Sequence, residues 1–364
     1  MSVPLRVMTT LYDPVELGSI TLKNRIVMAP LTRTRAELDG TPNDLLVEHY
    51  RQRAGMGLII AEGTWPVMEG RTWFKQPGIV TDEHEAGWRK VTDAVHAEGG
   101  KIYLQIMHGG RISHEELSLT GRIVAPSAIA GPNPIRVSGG KKVPAPVPHA
   151  LTTDEISAVI GDFVAASRRA ISAGFDGVEL HGANGYFINQ FFSPASNTRD
   201  DAYGGTPENH ARFAEELVAA VADAIGGDKL GIRLSPGENI QGADELDPEF
   251  TRATYMHFAR SVAPHHLAYL HIVNPDPSCA LVQDLREAAS APLIVNTGFD
   301  IVTSKELAES IVAAGHAEAV SVGRRAMANP DLARRWREGL PENELNQATV
   351  YGDGPEGYTD YPLV

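Results

Sequence analysis

Four short apolar segments of the sequence end in hydrogen-bonding side chains, which are Thr32, Gln105, His181 and Arg233. A single polar residue in such a place is more often a satisfied structural group than a functional one. Four of them in the same topological position favour a common site, because the carboxyl ends of parallel strands meet at one rim. Hydroxyl, amide, imidazole and guanidinium groups together can hold a polar small molecule.

Two glycine turns add a second kind of chemistry. They are Asn296-Thr-Gly298-Phe299 and Val322-Gly323-Arg324, and their backbone N–H groups, with one arginine, predict a phosphate site. The turns alone are a weak signal. The sequence contains no G-x-G-x-x-G or Walker loop, so a Rossmann dinucleotide site is disfavoured. It also lacks H-E-x-x-H and G-x-S-x-G motifs, so we expect no metal and no serine nucleophile.

The elements that must position these residues follow a repeated unit of an amphipathic helix, a glycine stop and a short aliphatic run. The predicted helices cover residues 42–54, 83–98, 153–173, 207–225 and 304–314. The predicted strands are Arg25–Met28, Leu58–Ala61, Lys101–Gln105, Gly177–His181, Leu230–Leu234, Tyr269–Val273, Pro292–Asn296 and Ala319–Val322. This alternation predicts an α/β fold, a (β/α)8 TIM barrel that spans residues 1–364 as a single domain. A doubly wound open sheet is the alternative.

Two segments lie outside the repeated unit. Leu17-Gly-Ser-Ile20 predicts a short hairpin ahead of the first barrel strand. Residues 107–150 are rich in Gly, Pro and Ser and predict a long loop after the third strand. A loop of this length in a compact domain is usually functional or disordered, and in a barrel it would lie on the face where active sites are found.

The composition excludes several classes of function. The net charge of −14 argues against a nucleic-acid partner, because phosphate binding needs a basic face. Cys279 is the single cysteine, so neither an intramolecular disulfide nor a thiolate cluster can form. We find no signal peptide in MSVPLRVMTT and no apolar stretch near the roughly 18 residues of a membrane span. The sequence therefore predicts a cytoplasmic monomer or homodimer with no membrane partner.

Several long segments, in order along almost the whole chain, resemble the old yellow enzyme family of FMN-dependent ene-reductases. The resemblance is to its bacterial branch, which includes pentaerythritol tetranitrate, glycerol trinitrate and N-ethylmaleimide reductases. The matching segments are Asn24-Arg-Ile-Val-Met-Ala-Pro-Leu-Thr-Arg33, Gly109-Gly-Arg-Ile-Ser-His114, His181-Gly-Ala-Asn-Gly-Tyr186, Gln190-Phe-Phe-Ser-Pro194, Asn197-Thr-Arg199, Tyr203-Gly-Gly205, Gly231-Ile-Arg-Leu-Ser-Pro236, Asn329-Pro-Asp331 and the stretch from Tyr351 to Pro362.

The resemblance implies non-covalent FMN at the C-terminal mouth of the barrel and NAD(P)H as the reductant. A cation beside the flavin N1/O2 edge would stabilise the reduced cofactor, and Arg233 matches that position. The residues that match the family's cofactor contacts are Pro30, Leu31 and Thr32 beside the flavin, Ala61, Gln105 and Arg233 along the isoalloxazine and ribityl groups, and Gly298, Phe299, Gly323 and Arg324 at the phosphate.

The resemblance also implies the reaction. NAD(P)H reduces the flavin and leaves, and an activated alkene (an α,β-unsaturated carbonyl, nitroalkene or maleimide) then takes hydride from flavin N5 in the same place. His181 and Asn184 match the donors that hold the substrate oxygen, and Tyr186 matches the proton donor to the α-carbon. On a short helical turn, residues three apart project to one side, which predicts that His181 and Asn184 act together. Without the resemblance, His181 and Tyr186 are equally consistent with structural core residues.

The substrate pocket departs from the family pattern. Trp73, Met107 and Tyr351 are predicted to line it. Many relatives carry Trp where Met107 stands and Tyr where Trp73 stands, so we expect a wider or reshaped pocket. Close bacterial relatives often have a second histidine where Asn184 stands. Two other functions stay open: reduction of nitrate esters or nitroaromatics as the main activity, and a non-catalytic barrel that only binds ligands.

Overall fold

The computed structural model describes residues 9–364 and shows a closed barrel of eight parallel strands. The strands in chain order are β1 (Val15–Leu17), β2 (Ile20–Leu22), β3 (Ile26–Met28), β4 (Leu58–Thr64), β5 (Ile102–Ile106), β6 (Val124–Ala125), β7 (Ile135–Arg136), β8 (Lys142–Val143), β9 (His149–Ala150), β10 (Gly177–Gly182), β11 (Leu230–Leu234), β12 (Tyr269–Val273), β13 (Leu293–Asn296) and β14 (Ala319–Val322). Strands β3, β4, β5 and β10 to β14 form the barrel, and β14 pairs again with β3. The predicted (β/α)8 TIM barrel is confirmed, and the open sheet is wrong.

Helices surround the barrel. They are α1 (Asp44–Arg51), α2 (Asp82–Ala97), α3 (Thr153–Ser172), α4 (Phe187–Phe192), α5 (Pro207–Ile225), α6 (Pro248–Val262), α7 (Ala280–Ala289), α8 (Lys305–Ala313), α9 (Arg324–Ala328) and α10 (Leu332–Glu338). The first predicted helix starts too early, because Asn43 caps α1 by accepting a hydrogen bond from the backbone N–H of Leu45. The sequence prediction has no counterpart to α4, α6, α7, α9 and α10. None of the helices formed by residues 9–364 combines the length and the apolar character needed to span a membrane.

The predicted hairpin ahead of the first barrel strand is confirmed as β1 and β2, and it closes the amino-terminal end of the barrel. Its residues Leu17 and Leu22 pack with Val27 and with the rings of Tyr103 and Tyr269 in one buried apolar cluster. The two tyrosine ring centroids are 5.6 Å apart. Because this end is filled by apolar side chains, the carboxyl ends of the strands form the open mouth of the barrel.

Residues 107–150 form the predicted long loop and lie against the open mouth. The loop contains two short pairings, β6 with β9 and β7 with β8. Its side chains Ile112, Leu117 and Ile135 pack with Met107 and Tyr186 in an apolar cluster separate from the main core. The loop therefore builds one wall beside Tyr186. The signal-peptide prediction for MSVPLRVMTT falls mainly on residues 1–8, which lie outside the described residues.

We expect Gly18→Ala to destabilise the fold by about 3 kcal/mol or more, and Gly315→Ala by about 1 to 2 kcal/mol. Gly18 has a φ of +55°, and an added Cβ would lie 2.0 Å from the carbonyl oxygen of Asp228. Gly315 is the matched control, because its φ is +74° but no atom lies within 4 Å of an added Cβ. Thermal unfolding followed by circular dichroism measures both losses. Equal melting temperatures for Gly18→Ala and Gly315→Ala would show that the hairpin does not pack closely against Asp228.

Candidate active site

The four polar strand-end residues meet at the mouth of the barrel. Gln105 lies in β5, His181 in β10 and Arg233 in β11, while Thr32 follows β3. All four line one cavity of about 420 Å³. The side chains of Gln105, His181 and Arg233 are buried, so each faces the cavity or another protein group rather than bulk water. The shared rim of parallel strands brings together residues that are far apart in the sequence.

A second cavity of about 400 Å³ adjoins the first and carries the predicted phosphate residues. Gly298, Phe299, Gly323 and Arg324 all line it. Gly298 has a φ of +87°, a conformation that glycine adopts without strain. The guanidinium of Arg324 donates to the backbone oxygen of Phe299 and so ties the two glycine turns together. The walls shared by the two cavities are Pro30, Leu31, Asn184, Arg233, Phe299, Met327, Val350 and Tyr351.

The cavity walls differ in part from the predicted set of residues. Ala61 is fully buried within β4 and forms part of neither cavity wall. The structure adds wall residues to which the sequence analysis assigns no role, and these include Ile240, Gln241, Asn296, Met327 and Val350. Among these, Asn296 carries the same strand-end signal as Gln105 and could have been found. Ile240, Gln241 and Val350 lie on loops and Met327 lies in α9, and no local pattern predicts that these residues reach the mouth.

The segment between His181 and Tyr186 is a turn, so the predicted short helical turn is wrong. Asn184 has a left-handed φ of +60°, and α4 begins only at Phe187. Asparagine is among the few residues that tolerate this conformation. The backbone N–H of Asn184 donates to Oγ of Ser235 at 2.9 Å, and its carbonyl oxygen accepts from Nε2 of Gln241 at 2.7 Å. These bonds hold the turn so that Asn184 and His181 both face the 420 Å³ cavity.

Three buried polar atoms at the cavity lack a hydrogen-bond partner within residues 9–364. They are Nδ1 of His181, Oδ1 of Asn184 and Nε of Arg233. Buried groups of this kind are normally paired, since an unpaired one costs about 1–3 kcal/mol. Their concentration at one place indicates a site built for a polar ligand.

The ionisation states at the mouth follow from burial. Burial, reinforced by the neighbouring Arg233 and His271, holds the pKa of His181 well below its usual range, so the imidazole is neutral. Burial also lowers the pKa of Arg233 to about 10, which leaves the guanidinium charged at neutral pH. The mouth therefore presents one fixed positive charge beside a neutral hydrogen-bonding imidazole.

Tyr186 is held by Trp73. The indole Nε1 of Trp73 donates to the hydroxyl oxygen of Tyr186 at 3.4 Å. Because indole can only donate, the tyrosine oxygen is the acceptor and its own proton remains available to the cavity. Burial raises the pKa of the Tyr186 hydroxyl, so it keeps that proton at neutral pH. Tyr351 stacks on Trp73 with ring centroids 5.4 Å apart, and the pair separates this cavity from a neighbouring one of about 600 Å³.

Two arginines hold the C-terminal segment that carries Tyr351. Arg33 donates from Nε to the carbonyl oxygen of Val350 at 2.8 Å and from Nη2 to that of Gly357 at 2.6 Å. Arg35 donates to further carbonyl oxygens of the same segment. Both arginines follow Thr32 closely in the sequence, so one strand end supplies a cavity residue and anchors the segment that faces it.

Together, the fold and the site define a barrel enzyme that holds an elongated, phosphate-bearing cofactor beside a polar substrate pocket. The family model described as NADH:flavin oxidoreductase / NADH oxidase matches residues 10–343. A probable flavin mononucleotide-dependent alkene reductase of Leishmania infantum is 41% identical, and the alignment covers 100% of both chains.

Solved structures agree with the family model. An old yellow enzyme homologue from Zymomonas mobilis superposes with a TM-score of 0.91 at 38% identity, covering 98% of this chain and 100% of that one. Morphinone reductase in complex with tetrahydroNAD superposes with a TM-score of 0.91 at 40% identity, covering 98% of each chain. The chain belongs to the old yellow enzyme family of NADH:flavin oxidoreductases.

The protein is therefore an FMN-dependent oxidoreductase, and a nicotinamide nucleotide is its reductant. The residues present fit FMN. The charged Arg233, whose buried Nε has no partner within residues 9–364, lies where a heterocyclic ring with polar edges can accept its hydrogen bonds. The glycine turns joined by Arg324 lie at the other end of the double cavity, where a phosphate can accept hydrogen bonds.

We expect His181 to remain neutral between about pH 8 and pH 6, because its pKa is held well below the ordinary histidine range. Nitrogen-15 NMR of histidine-labelled protein measures this directly, with the His181 signals assigned by their loss in His181→Asn. The expected result is ring shifts that do not move over this range, while N-acetylhistidine in the same buffer titrates. A midpoint near the ordinary value would show that the mouth does not desolvate the imidazole.

Proposed function

We propose that the protein is an NAD(P)H-dependent reductase of activated alkenes, such as α,β-unsaturated carbonyl compounds, nitroalkenes and maleimides. The observation that carries the proposal is the arrangement of His181, Asn184 and Tyr186 on one cavity, beside the residues that fit FMN. The name of the Leishmania infantum relative, an alkene reductase, supports the same chemistry. We propose that one barrel domain carries out the whole reaction.

Nine residues of the double cavity would hold FMN. FMN, when bound, takes two electrons from NAD(P)H and gives them to the alkene. Since both the nicotinamide and the substrate must reach the same ring, we propose that they occupy the 420 Å³ cavity in turn. The proposed cofactor residues are Pro30, Leu31, Thr32, Gln105 and Arg233 at the ring, and Gly298, Phe299, Gly323 and Arg324 at the phosphate.

His181 and Asn184 bind the carbonyl or nitro oxygen of the substrate. Negative charge grows on that oxygen as the alkene is reduced, so donors fixed in place stabilise the transition state more than the ground state. Losing one such donor typically costs about 3 kcal/mol of barrier, or roughly 100-fold in rate. The neutral imidazole of His181 donates from one ring nitrogen, and Asn184 donates through its amide NH2.

Tyr186 supplies the proton that completes the saturated product. Its hydroxyl oxygen accepts from Trp73 at 3.4 Å, which leaves the O–H free to point at the substrate carbon. The raised pKa keeps the hydroxyl protonated until a carbanion-like carbon takes the proton. Trp73 thereby orients the proton as well as lining the pocket.

Met107 shapes the space above these groups. It is buried and packs with Tyr186, and it lines the 420 Å³ cavity. Methionine is narrower and more flexible than the tryptophan that stands here in many relatives. We therefore propose substrates with bulkier groups beside the double bond.

The test of this function is a two-step reduction of the purified protein. Purified with its cofactor, it should be yellow, lose its visible flavin absorbance when NADPH or NADH is added without oxygen, and regain it with 2-cyclohexenone. The product should be cyclohexanone. A colourless protein that takes up no added FMN, or a reduced protein that 2-cyclohexenone does not reoxidise, would overturn the proposal.

Tyr186→Phe should slow the oxidative half-reaction by about 100-fold or more and leave the reduction by NAD(P)H within about twofold of the parent. The change removes the proton donor but keeps the ring that packs against the 107–150 loop. Stopped-flow absorbance measures both half-reactions separately. Tyr203→Phe is the control, because its hydroxyl binds Glu216 away from the cavity, and it should alter neither. An equal loss in both half-reactions would rule out proton donation by Tyr186.

A further inference from the structure

A buried carboxylate, Glu179, links two of the side chains assigned to the FMN ring. One carboxylate oxygen accepts from Nε2 of Gln105 at 2.8 Å. The other lies 2.8 Å from Nδ1 of His271, whose Nε2 lies 2.6 Å from Nη1 of Arg233. The side chains of Glu179 and His271 are fully buried. Strand pairing explains two of these contacts, because Glu179 is paired with Gln105 on β5 and Arg233 is paired with His271 on β12. The contact between Glu179 and His271 reaches across β11.

The carboxylate fixes which way the Gln105 amide points. An ionised carboxylate only accepts hydrogen bonds, so the amide must turn its NH2 toward Glu179. The amide oxygen of Gln105 is then the atom left for the cavity that Gln105 lines. Gln105 is therefore presented to a ligand as an acceptor and not as a donor.

The same carboxylate fixes the tautomer of His271. Arginine only donates, so Nε2 of His271, the ring nitrogen nearer to Arg233, must be the acceptor. The single ring proton of the neutral His271 then lies on Nδ1, which donates it in a hydrogen bond to Glu179. Burial, with the nearby Arg233, lowers the pKa of His271 to about 4, which agrees with a neutral ring. The guanidinium of Arg233 is thus held by a neutral acceptor whose orientation Glu179 sets.

We propose that Glu179 is a positioning residue for FMN. Through its two oxygens, Glu179 determines which of two contacts to the FMN ring accepts a hydrogen bond and which donates one. It presents Gln105 as an acceptor directly and holds Arg233 as a cationic donor through His271. The flavin ring edge carries both an N–H donor and carbonyl acceptors, so it needs one contact of each kind. The inference rests on the assignment of Gln105 and Arg233 to FMN.

Glu179→Gln tests the proposal with almost no change in volume. A glutamine has an acceptor oxygen at one of these two positions and a donor NH2 at the other, so it cannot accept from Gln105 and His271 at separate atoms as Glu179 does. Either the Gln105 amide turns its NH2 to the cavity, or His271 loses the proton arrangement that accepts from Arg233. We expect the apoprotein to bind FMN about 10-fold to 100-fold more weakly, measured by quenching of FMN fluorescence.

Glu245→Gln is the matched control. Glu245 is also buried and accepts from Asn189 and Tyr255 with one oxygen and from the backbone N–H of Gly237 with the other. It touches neither Gln105 nor Arg233, so its loss should leave FMN affinity within about twofold of the parent. A loss of FMN affinity equal to that of Glu179→Gln would show that removing any buried carboxylate is enough, and would overturn the proposal.

The double variant Gln105→Glu with Glu179→Gln exchanges the two side chains and restores every donor and acceptor. The glutamine at 179 can donate to the carboxylate at 105 and accept from His271, while position 105 still presents oxygen to the cavity. We expect FMN affinity at least about tenfold tighter than in Glu179→Gln alone. Because the negative charge now lies closer to the ring, the midpoint potential of bound FMN should fall below that of the parent.

Thermal unfolding of each apoprotein reports folding apart from cofactor binding. Glu179→Gln that binds FMN as tightly as the parent, or a double variant that binds no better than Glu179→Gln, would overturn the proposal. If Glu179→Gln does not fold, a double variant that folds and binds FMN supports the proposal, and one that stays unfolded overturns it. A parent apoprotein that does not bind FMN would instead overturn the cofactor assignment and the proposed alkene reduction.

Discussion

Closure of eight parallel strands is the constraint on which the rest of the site depends. In a closed parallel barrel every strand ends on the same rim, so side chains from distant parts of the sequence are forced to meet there. The β1–β2 hairpin fills the other end with apolar side chains, which leaves one open mouth. Polar residues at the strand ends must then find partners in that mouth or remain unpaired. Some do remain unpaired within residues 9–364, and these atoms mark the ligand site.

Burial sets the electrostatics of the mouth. Desolvation keeps His181 and His271 neutral and leaves Arg233 as a buried cation. A buried cation needs compensation, and Glu179 provides the opposite charge one step away through His271. The site can thus stabilise negative charge on a bound ring through Arg233 while both imidazoles stay neutral. A charged His181 beside Arg233 would add repulsion between like charges, which the fold avoids.

Much of the fold could be predicted from the sequence because its signals are local. The bounds of α5 follow from Thr206-Pro207 at one end and a glycine at the other, and β11, β12 and β14 match their predicted ranges. The strand-end residues Gln105, His181 and Arg233 were identifiable for the same reason. Glu179 and His271 also carried a signal, as ionisable residues within apolar strands, but their partners depend on strand register, which a single sequence does not show.

Other parts of the site depend on contacts between distant segments, which local sequence patterns do not predict, and only the resemblance pointed to Tyr351 as a pocket residue. The left-handed turn at Asn184 is held by Ser235 and Gln241, which lie on another connection. The place of Tyr351 depends on Arg33 and Arg35, which are more than 300 residues away in the chain. No local pattern records such pairs. Ala61 is a different case, because the resemblance alone assigns it to the flavin and its burial within β4 does not test that assignment.

The cavity walls come from two different parts of the fold. Barrel strands carry the residues assigned to the cofactor and the substrate oxygen, and loops carry residues that shape the substrate pocket. Gln105, His181 and Arg233 belong to barrel strands, whose positions are fixed by the ladder of hydrogen bonds on both sides. Trp73 and Tyr351 stand on the connection after β4 and on the C-terminal segment, where a shift of one loop changes the pocket and leaves the strand ends in place. Tyr186 lies between the two, since Trp73 supports its hydroxyl. In the proposed reaction, a substitution at Trp73 would therefore alter both pocket shape and proton delivery, so size alone does not account for the choice of tryptophan here.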